Sequence, residues 1–149
     1  METSLNEASI NLRMANVSDA PRCAWIVNNW IDKTEWLTRV HSRASIEEML
    51  TAGIPVREFW VAGEPIQGYL SFNAEVSQVM GLYTALQGQG IGKALLDKVK
   101  QDRKWIQLWS HSANTKAHRF YIREGFVKTN ETRIGVDHIP EIRLEWFLK

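Results

Sequence analysis

The stretch QGQGIGK, residues 87–93, places a glycine at every second position between a predicted strand and a predicted helix. Glycine lacks a β-carbon, so an anion can approach the backbone N–H groups, and the N-terminus of the following helix carries a partial positive charge. The amides of residues 89–93 could therefore hold a phosphate or a pyrophosphate, with Lys93 adding a cation at the mouth. A tight connection between a strand and a helix that binds nothing produces the same pattern.

Two other phosphate-binding motifs do not fit this stretch. A P-loop requires a glycine at position 87 and a serine or threonine at position 94, where the chain has Gln87 and Ala94. A dinucleotide-binding fingerprint requires a third small residue at position 93 or 95, and these positions hold Lys93 and Leu95. Both counts disfavour a nucleotide-binding protein.

Outward from the glycine turn, the sequence changes repeatedly between strand and helix patterns. Residues 76–84 predict a strand, and from Ile91 the apolar side chains recur every four residues, as on one face of a helix. Upstream, the patterns predict a strand at residues 10–14 and then a helix that follows the cap residues 16–19 and ends near Asp32. A short helix is predicted from its cap Ser45 to Gly53, and a hairpin of strands 59–62 and 66–72 follows it. Downstream, they predict a strand at residues 105–109, a helix from its cap Asn114 to about Glu124, and strands at 126–132 and 142–148.

Composition restricts the class of partner. The 149 residues fit one domain, residues 1–149, and 18 basic against 17 acidic side chains give a formal charge of +1. This balance gives no electrostatic footprint for nucleic acid or an anionic membrane, so the expected partner is a small molecule. No apolar run approaches the roughly 18 residues of a membrane span, which makes a cytoplasmic location the expectation.

Cysteine, histidine and tryptophan usage narrows the chemistry further. Cys23, the single cysteine, excludes an internal disulfide and favours a buried structural thiol. The four histidines show no metal-ligand spacing, so no metal is expected. Trp30 and Trp36 flank a polar loop and are candidates to line a pocket. The other five tryptophans are predicted core residues: Trp25, Trp60, Trp105, Trp109 and Trp146.

A second stretch, NTKAHRFYIREGF at residues 114–126, has the pattern of a capped helix. The Asn114 side chain can accept a backbone N–H at the helix start, and Ala117, Phe120 and Tyr121 fall on one face. A glycine and a phenylalanine then mark the exit from the helix.

Together the two stretches resemble the GCN5-related N-acetyltransferase (GNAT) superfamily. Gln87, Gly90 and Gly92 match its Gln/Arg-x-x-Gly-x-Gly/Ala pyrophosphate loop, and residues 114–126 match its N-x-x-A-x-x-F-Y-x-x-x-G-F helix throughout. The order of strands and helices is also similar over nearly the whole chain. One departure is the link between the strand and Gln87, where only residues 85–86 intervene and most family members have a longer connection.

The resemblance implies a mixed α/β fold, with a central, mostly antiparallel twisted sheet of about seven strands flanked by about four helices. It also implies an N-acetyltransferase that moves an acetyl group directly from acetyl-CoA to an amine, without an acyl-enzyme. The cofactor contacts that it implies are Leu82, Tyr83, Thr84, Gln87, Gly88, Gln89, Gly90, Ile91, Gly92, Lys93, Asn114, Ala117 and Tyr121.

Tyr121 matches the family position near the coenzyme sulfur, so the resemblance implies that its phenol is the general acid for the leaving thiolate. The alternative is that Tyr121 only packs beside Phe120 and hydrogen-bonds the cofactor. The general base stays open, because the family often uses a chain of waters. His111 is the most plausible single side chain, since histidine titrates near neutrality, and a structural or solvated His111 is the alternative. The other candidates are Glu75, Asp32 and Glu35.

In this family the acceptor commonly enters between the first helix pair and the last hairpin, which here means residues 30–43 and 133–141. The first of these stretches mixes aromatic side chains with both charges and suits a small polar amine or an amino acid, although a solvated loop has the same composition. We expect a monomer or a homodimer. The alternative function is a CoA-binding sensor or interaction module with this fold and little turnover, against which the presence of Tyr121 argues.

Overall fold

Of the predicted domain, residues 1–149, the computed structural model describes residues 10–149. A single 3₁₀ turn, Val17–Asp19, precedes the first helix. The strands and helices follow in the order β1 (Leu12–Met14), α1 (Ala20–Lys33), α2 (Arg43–Gly53), β2 (Glu58–Ala62), β3 (Gly68–Asn73), β4 (Gln78–Thr84), α3 (Ile91–Lys100), β5 (Trp105–His111), α4 (Thr115–Arg123), β6 (Val127–Ile134) and β7 (Pro140–Phe147).

The seven strands form one sheet in the order β1-β2-β3-β4-β5-β7-β6. Every neighbouring pair is antiparallel except β4 and β5, which are parallel and pair only at Gln78–Gln107 and Val79–Leu108. The predicted mostly antiparallel sheet of seven strands with four helices is confirmed.

The separation of β4 from β5 begins at a bulge in β4. On its other edge β4 pairs with β3, and the register passes from Phe72–Val79 to Ser71–Gly81, which leaves Met80 as an extra residue. A bulge bends its strand and increases the local twist. Residues 80–84 therefore leave β5 and create a gap beside residues 109–111, which we call the strand opening.

Two apolar clusters cover the two faces of the sheet. The cluster under α3 and α4 includes Leu95, Leu96, Val99, Ile106, Leu108, Phe126 and Leu144. The cluster under α1 and α2 includes Cys23, Ile26, Phe59, Val61 and Tyr69. Because alternate residues of a strand point to opposite faces, Leu82 packs against the first cluster and Tyr83 against the second.

The cap predicted for the short helix α2 is wrong. Ser42, not Ser45, occupies the N-cap position, and its Oγ accepts the backbone N–H of Ser45 at 3.1 Å. Both residues are serines three positions apart, so the sequence offers two equivalent caps. Which serine caps the helix depends on where the preceding loop ends.

The tryptophan assignment is also wrong in part. Trp25 is 47% exposed and stacks under the Arg22 guanidinium at 4.3 Å. The other four tryptophans that were predicted to be core are only half-buried. An indole is too large to be enclosed easily, so apolar neighbours in the sequence do not show whether a tryptophan lies in the core or at its edge.

Cys23 is buried, as predicted, and burial raises the pKa of its thiol to about 12. This environment keeps the thiol protonated and inert at neutral pH. Among the helices of residues 10–149, none has both the length and the apolar character that crossing a membrane requires.

Candidate active site

The glycine turn lies between β4 and α3 and has no regular structure over residues 85–90. Gly88 and Gly90 adopt φ values of +76° and +75°, in the left-handed region that favours glycine. Gly90 is the N-cap of α3 and supplies no side-chain cap, so the first amides of the helix lack an intrahelical or capping partner. These amides form a rim of N–H donors, and residues 87–90 are exposed around it.

The first turn of α3 is fixed by close packing on two sides. A β-carbon on Gly92 would lie 3.2 Å from Cζ of Phe120, so α3 and α4 approach each other through this glycine. The Ile91 side chain is buried, and its methyl group leaves no room for a β-carbon on Gly68 of β3, where the distance would be 2.6 Å. Ile91 and Gly92 can therefore offer a ligand only their backbone.

Lys93 follows the turn, but its charge is already engaged. Its Nζ donates to the Asp97 carboxylate at 2.8 Å and lies 3.6 Å from Glu124. The hydrogen bond to Asp97 raises the pKa of Lys93 above its ordinary value. The Lys93 ammonium group, which was expected at the mouth of the turn, is thus paired with Asp97 of the same helix.

Asn114 occupies the N-cap of α4, as predicted from the sequence. Its Oδ1 accepts the N–H of Ala117 at 3.2 Å, which identifies a structural role for the asparagine. Its side-chain NH₂ group is not needed for the cap and can serve a ligand. Ala117 is partly buried against the cluster under α3 and α4.

Tyr121 is buried on α4, with 8% of its surface exposed, and its ring contacts Phe120 and Phe126 at centroid distances of 5.3 and 5.4 Å. Burial raises the pKa of Tyr121 well above its ordinary value, and Tyr83 nearby adds to the effect. Within residues 10–149 the Tyr121 hydroxyl makes no hydrogen bond, yet no buried side-chain polar atom lacks a partner.

The end of β4 carries the remaining predicted cofactor contacts. Leu82, Tyr83 and Thr84 pair with β3 on one edge, opposite Leu70, Tyr69 and Gly68. Their other edge faces the strand opening, beyond the last β4–β5 pair. An extended ligand can add to such an edge as a further strand.

His111 ends β5 on the far side of the strand opening. Its Nε2 lies 2.6 Å from an Asp137 carboxylate oxygen and 4.0 Å from Glu141. Its ring stacks on Trp30 at 6.3 Å and contacts Trp36 at 5.1 Å between centroids. The structure thus brings the predicted base candidate and both predicted pocket tryptophans into one cluster.

Asp137 and Glu141 lie within the predicted acceptor stretch 133–141, but no role was predicted for either. Desolvation alone would raise the pKa of Asp137; the hydrogen bond from His111 and backbone N–H donors outweigh it and hold this pKa below its ordinary value. Burial raises the pKa of Tyr83 to about 12, and the charges of Asp137 and Glu141 contribute. Asp137 lies in the turn after the edge strand β6 and Glu141 near the start of β7, and neither position gives a periodic signal in the sequence.

The other base candidates lie elsewhere. Asp32 pairs with Arg39 at 2.9 Å and with Arg43, and the hydrogen bond from Arg39 is the main cause that lowers its pKa. Glu75 is exposed in the β3–β4 turn, at the opposite end of β4 from Thr84. Glu35 is exposed after α1.

One set of side chains has a spacing compatible with a divalent cation. His111, Asp137 and Glu141 each offer a ligand atom, and these atoms lie within 4.8 Å of one another. Arg133 donates to Glu141 at 2.6 Å, so one of the carboxylates is already neutralised. The arrangement is complete as a hydrogen-bonded network without a metal.

Two surface depressions, of about 420 and 280 Å³, contain none of these residues. One lies on α2 and the other beside the β3–β4 turn. The candidate site is instead an open cleft between strands.

The fold and the glycine turn define an acetyltransferase-type α/β protein. The structure is similar to that of apo YjaB from Escherichia coli, with a TM-score of 0.73 and 19% identity over 92% of this chain and 97% of the other. It is also similar to yncA from Salmonella typhimurium, which was solved with its cofactor acetyl-CoA, with a TM-score of 0.70 and 20% identity over 95% of each chain.

Sequence comparison identifies the family. The model of the acetyltransferase (GNAT) domain matches residues 55–128. The peptidyl-lysine N-acetyltransferase YjaB of Salmonella typhimurium is 26% identical over 129 residues, which are 84% of this chain and 88% of the relative. The chain belongs to the GNAT acetyltransferase superfamily.

Proposed function

We propose that this chain is an acetyl-CoA-dependent N-acetyltransferase that transfers the acetyl group directly to an amine. The observation that carries the proposal is the strand opening, which has free amide donors at the glycine turn at one end. Tyr83 projects from β4 at this opening, and burial, with a smaller contribution from the nearby Tyr83, raises the pKa of Tyr121. Acetyl-CoA would supply the thioester, and the chain supplies the groups that bind it and move protons.

The binding residues fit a pyrophosphate followed by an extended arm. The amides around Gly90 and the positive end of α3 suit the pyrophosphate, and the left-handed conformation of Gly88 and Gly90 aims them outward. The free edge of residues 82–84 suits the amide groups of the pantetheine arm. Asn114 and Ala117 border the same region from α4.

Proton transfer is assigned to two side chains. When the amine attacks the thioester carbonyl, a C–N bond forms and the C–S bond breaks, so the thiolate gains a proton and the amine loses one. Tyr121 is un-ionised at neutral pH and can donate to the thiolate. His111 can accept the proton of the amine, because Asp137 engages its Nε2 and leaves Nδ1 to act as the acceptor.

The acceptor is an amine, and the comparisons support no finer class. The relative from Salmonella typhimurium is a peptidyl-lysine N-acetyltransferase. A small molecule, as expected from the composition, and a lysine side chain of a peptide both remain within the proposal.

A thiol-release assay tests the proposal. Acetyl-CoA and the protein are mixed with amino acids, polyamines, aminoglycosides and lysine peptides, and free CoA is measured together with the acetylated product by mass spectrometry. We expect thiol release in equal amount to N-acetylated product for at least one amine. Binding of acetyl-CoA with no release for any amine would instead support the CoA-binding sensor.

A further inference from the structure

Six side chains from five parts of the chain meet beside the strand opening. We call them the aromatic-acidic cleft: Trp30 from α1, Trp36 from the loop after it, Tyr83 from β4, His111 from β5, and Asp137 and Glu141 around the β6–β7 turn.

Aromatic rings form the walls of this cleft. The Trp30 ring lies 6.0 Å from Trp36 and 5.2 Å from Tyr83, and both indoles contact the His111 ring. Indole faces attract cations, and their apolar bodies pack against methylene groups. Such walls fit an unbranched alkyl chain that ends in an ammonium group.

The polar end of the cleft carries net negative charge. Arg133 neutralises Glu141 at 2.6 Å. For Asp137, within residues 10–149, no lysine or arginine nitrogen lies within 4.0 Å, and its one polar side-chain partner is His111. Within the described residues, one carboxylate beside the strand opening is therefore left without a permanent cation. The negative charge reaches Tyr83, whose phenol it helps to keep protonated.

The same charge disfavours some acceptors. A free α-amino acid holds its carboxylate one carbon from the reacting nitrogen, which would place two carboxylates near each other in a partly buried site. Like charges in this position are repelled, and the nearest guanidinium, Arg133, is already bound to Glu141 and stacked on Trp109 at 4.2 Å.

We propose that the acyl acceptor is an alkyl ammonium with no carboxylate adjacent to the reacting nitrogen, selected by Trp30, Trp36 and Asp137. This inference rests on the proposed acetyltransferase function. It narrows the acceptor to the chemistry shared by the side chain of a lysine within a peptide and by an aliphatic diamine, and it excludes free α-amino acids.

The test compares acceptors that differ in one charge. The thiol-release kcat/KM is measured for norvaline and for norvalinamide, which have the same skeleton with and without a carboxylate. We expect norvalinamide to be preferred by about tenfold or more, which corresponds to about 1.4 kcal/mol. Two longer acceptors, Nα-acetyl-lysine methylamide and 1,5-diaminopentane, should both have a higher kcat/KM than norvaline. The ratio of their two kcat/KM values shows whether a peptide lysine or an aliphatic diamine is the better acceptor.

Variants separate this selection from the intrinsic reactivity of the amines. Asp137→Asn should reduce the ratio of norvalinamide to norvaline severalfold, whatever it does to the overall rate. Glu131→Gln, which removes an exposed carboxylate of β6 that pairs with Arg143, should leave the ratio unchanged. Melting curves of both variants establish that they fold.

The outcomes are distinct. If norvaline is acetylated as well as norvalinamide, or if the ratio survives in Asp137→Asn, the inference is wrong while the acetyltransferase function stands. If no amine releases thiol, the proposed function itself fails.

Discussion

At the scale of single residues, Tyr121 is a buried phenol whose ring is enclosed on α4. Phe120 and Phe126 contact the ring, so packing holds the phenol in place, and within residues 10–149 no hydrogen bond adds to it. Burial keeps the phenol protonated. A proton donor with these properties can act on a thiolate that forms only during the reaction.

Replacing Tyr121 with phenylalanine should lower kcat by about 10² or more, since general acid catalysis contributes roughly 10²–10⁴. The KM for acetyl-CoA should change little, because the ring and its packing remain. Steady-state kinetics with a responsive amine measures both. Tyr69→Phe is the matched control, because Tyr69 is a buried phenol of the other cluster and should give normal turnover. Normal kcat in Tyr121→Phe would leave the tyrosine a packing role only.

Gly90 is a second residue at which we expect a substitution to affect both stability and the binding of acetyl-CoA. At φ +75° a side chain is strained, and of residues 10–149 only the Ile10 methyl group would lie near a β-carbon there, at 3.8 Å. Gly90→Ala should therefore destabilise the protein by roughly 1–2 kcal/mol through the backbone alone and raise the KM for acetyl-CoA. Gly53→Ala is the control, since its φ is not left-handed and its β-carbon would meet nothing within 4 Å among residues 10–149. Urea denaturation and acetyl-CoA kinetics measure the two effects, and equal behaviour of the variants would contradict this account.

At the scale of elements, β4 and its neighbours show which parts of the site the sequence could predict. The order of strands and helices followed from periodicity, and the glycine turn and the α4 cap followed from residues 87–93 and Asn114. The strand opening did not, because it depends on Met80 becoming a bulge against β3 and on β5 pairing at only two positions. Such pairing involves residues far apart in the chain and leaves no local pattern.

The aromatic-acidic cleft was predictable only in part for the same reason. Trp30 and Trp36 were predicted to line a pocket because they are large side chains beside a polar loop. His111 was a predicted base because it is a titratable group at the end of a strand. Asp137 gave no signal, since a loop aspartate is ordinary, and its contact with His111 joins residues 26 positions apart. Tertiary packing alone selects it from the other carboxylates.

The junction between β1 and α1 depends on one buried carboxylate. Asp19 accepts two hydrogen bonds from Arg13, at 2.8 and 2.9 Å, and one from the backbone of Asn16. The hydrogen bond from Arg13 is the main cause that lowers the pKa of Asp19. A lowered folded-state pKa contributes stability that is present above the unfolded pKa of about 3.9 and is lost as the pH falls through the folded value.

Asp19→Asn should therefore reduce the free energy of unfolding at pH 7 by about 1–3 kcal/mol, because it weakens charge-assisted hydrogen bonds in a largely buried position. The difference from the wild type should shrink as the pH falls below about 4. Urea denaturation at several pH values measures it. Asp102→Asn serves as the control, since Asp102 is exposed and forms no ion pair within residues 10–149. A deficit of Asp19→Asn that is the same at every pH would point to packing instead of charge.

At the scale of the whole molecule, the two apolar clusters support the sheet from both faces, and the site lies where the sheet itself is incomplete. β4 and β5 are each anchored on their outer edges, by β3 and β7, so they can part without unfolding either half. A ligand that adds to the free edge of β4 restores part of the missing pairing. Binding should therefore be coupled to global stability.

Acetyl-CoA should raise the melting temperature more than other phosphate ligands do. At 100 times its Kd a ligand that binds only the folded state stabilises it by about 2.7 kcal/mol, which in a domain of this size corresponds to roughly 5–10 °C. ATP and NAD carry phosphates but no arm to pair with residues 82–84, so their shifts at the same concentration should be much smaller. Differential scanning fluorimetry compares the three ligands directly, with free CoA as the control that retains the arm and lacks the acetyl group. A larger shift with ATP than with acetyl-CoA would assign the glycine turn to a nucleotide and overturn the cofactor proposal, whereas similar shifts with CoA and acetyl-CoA place the binding energy in the pyrophosphate and the arm.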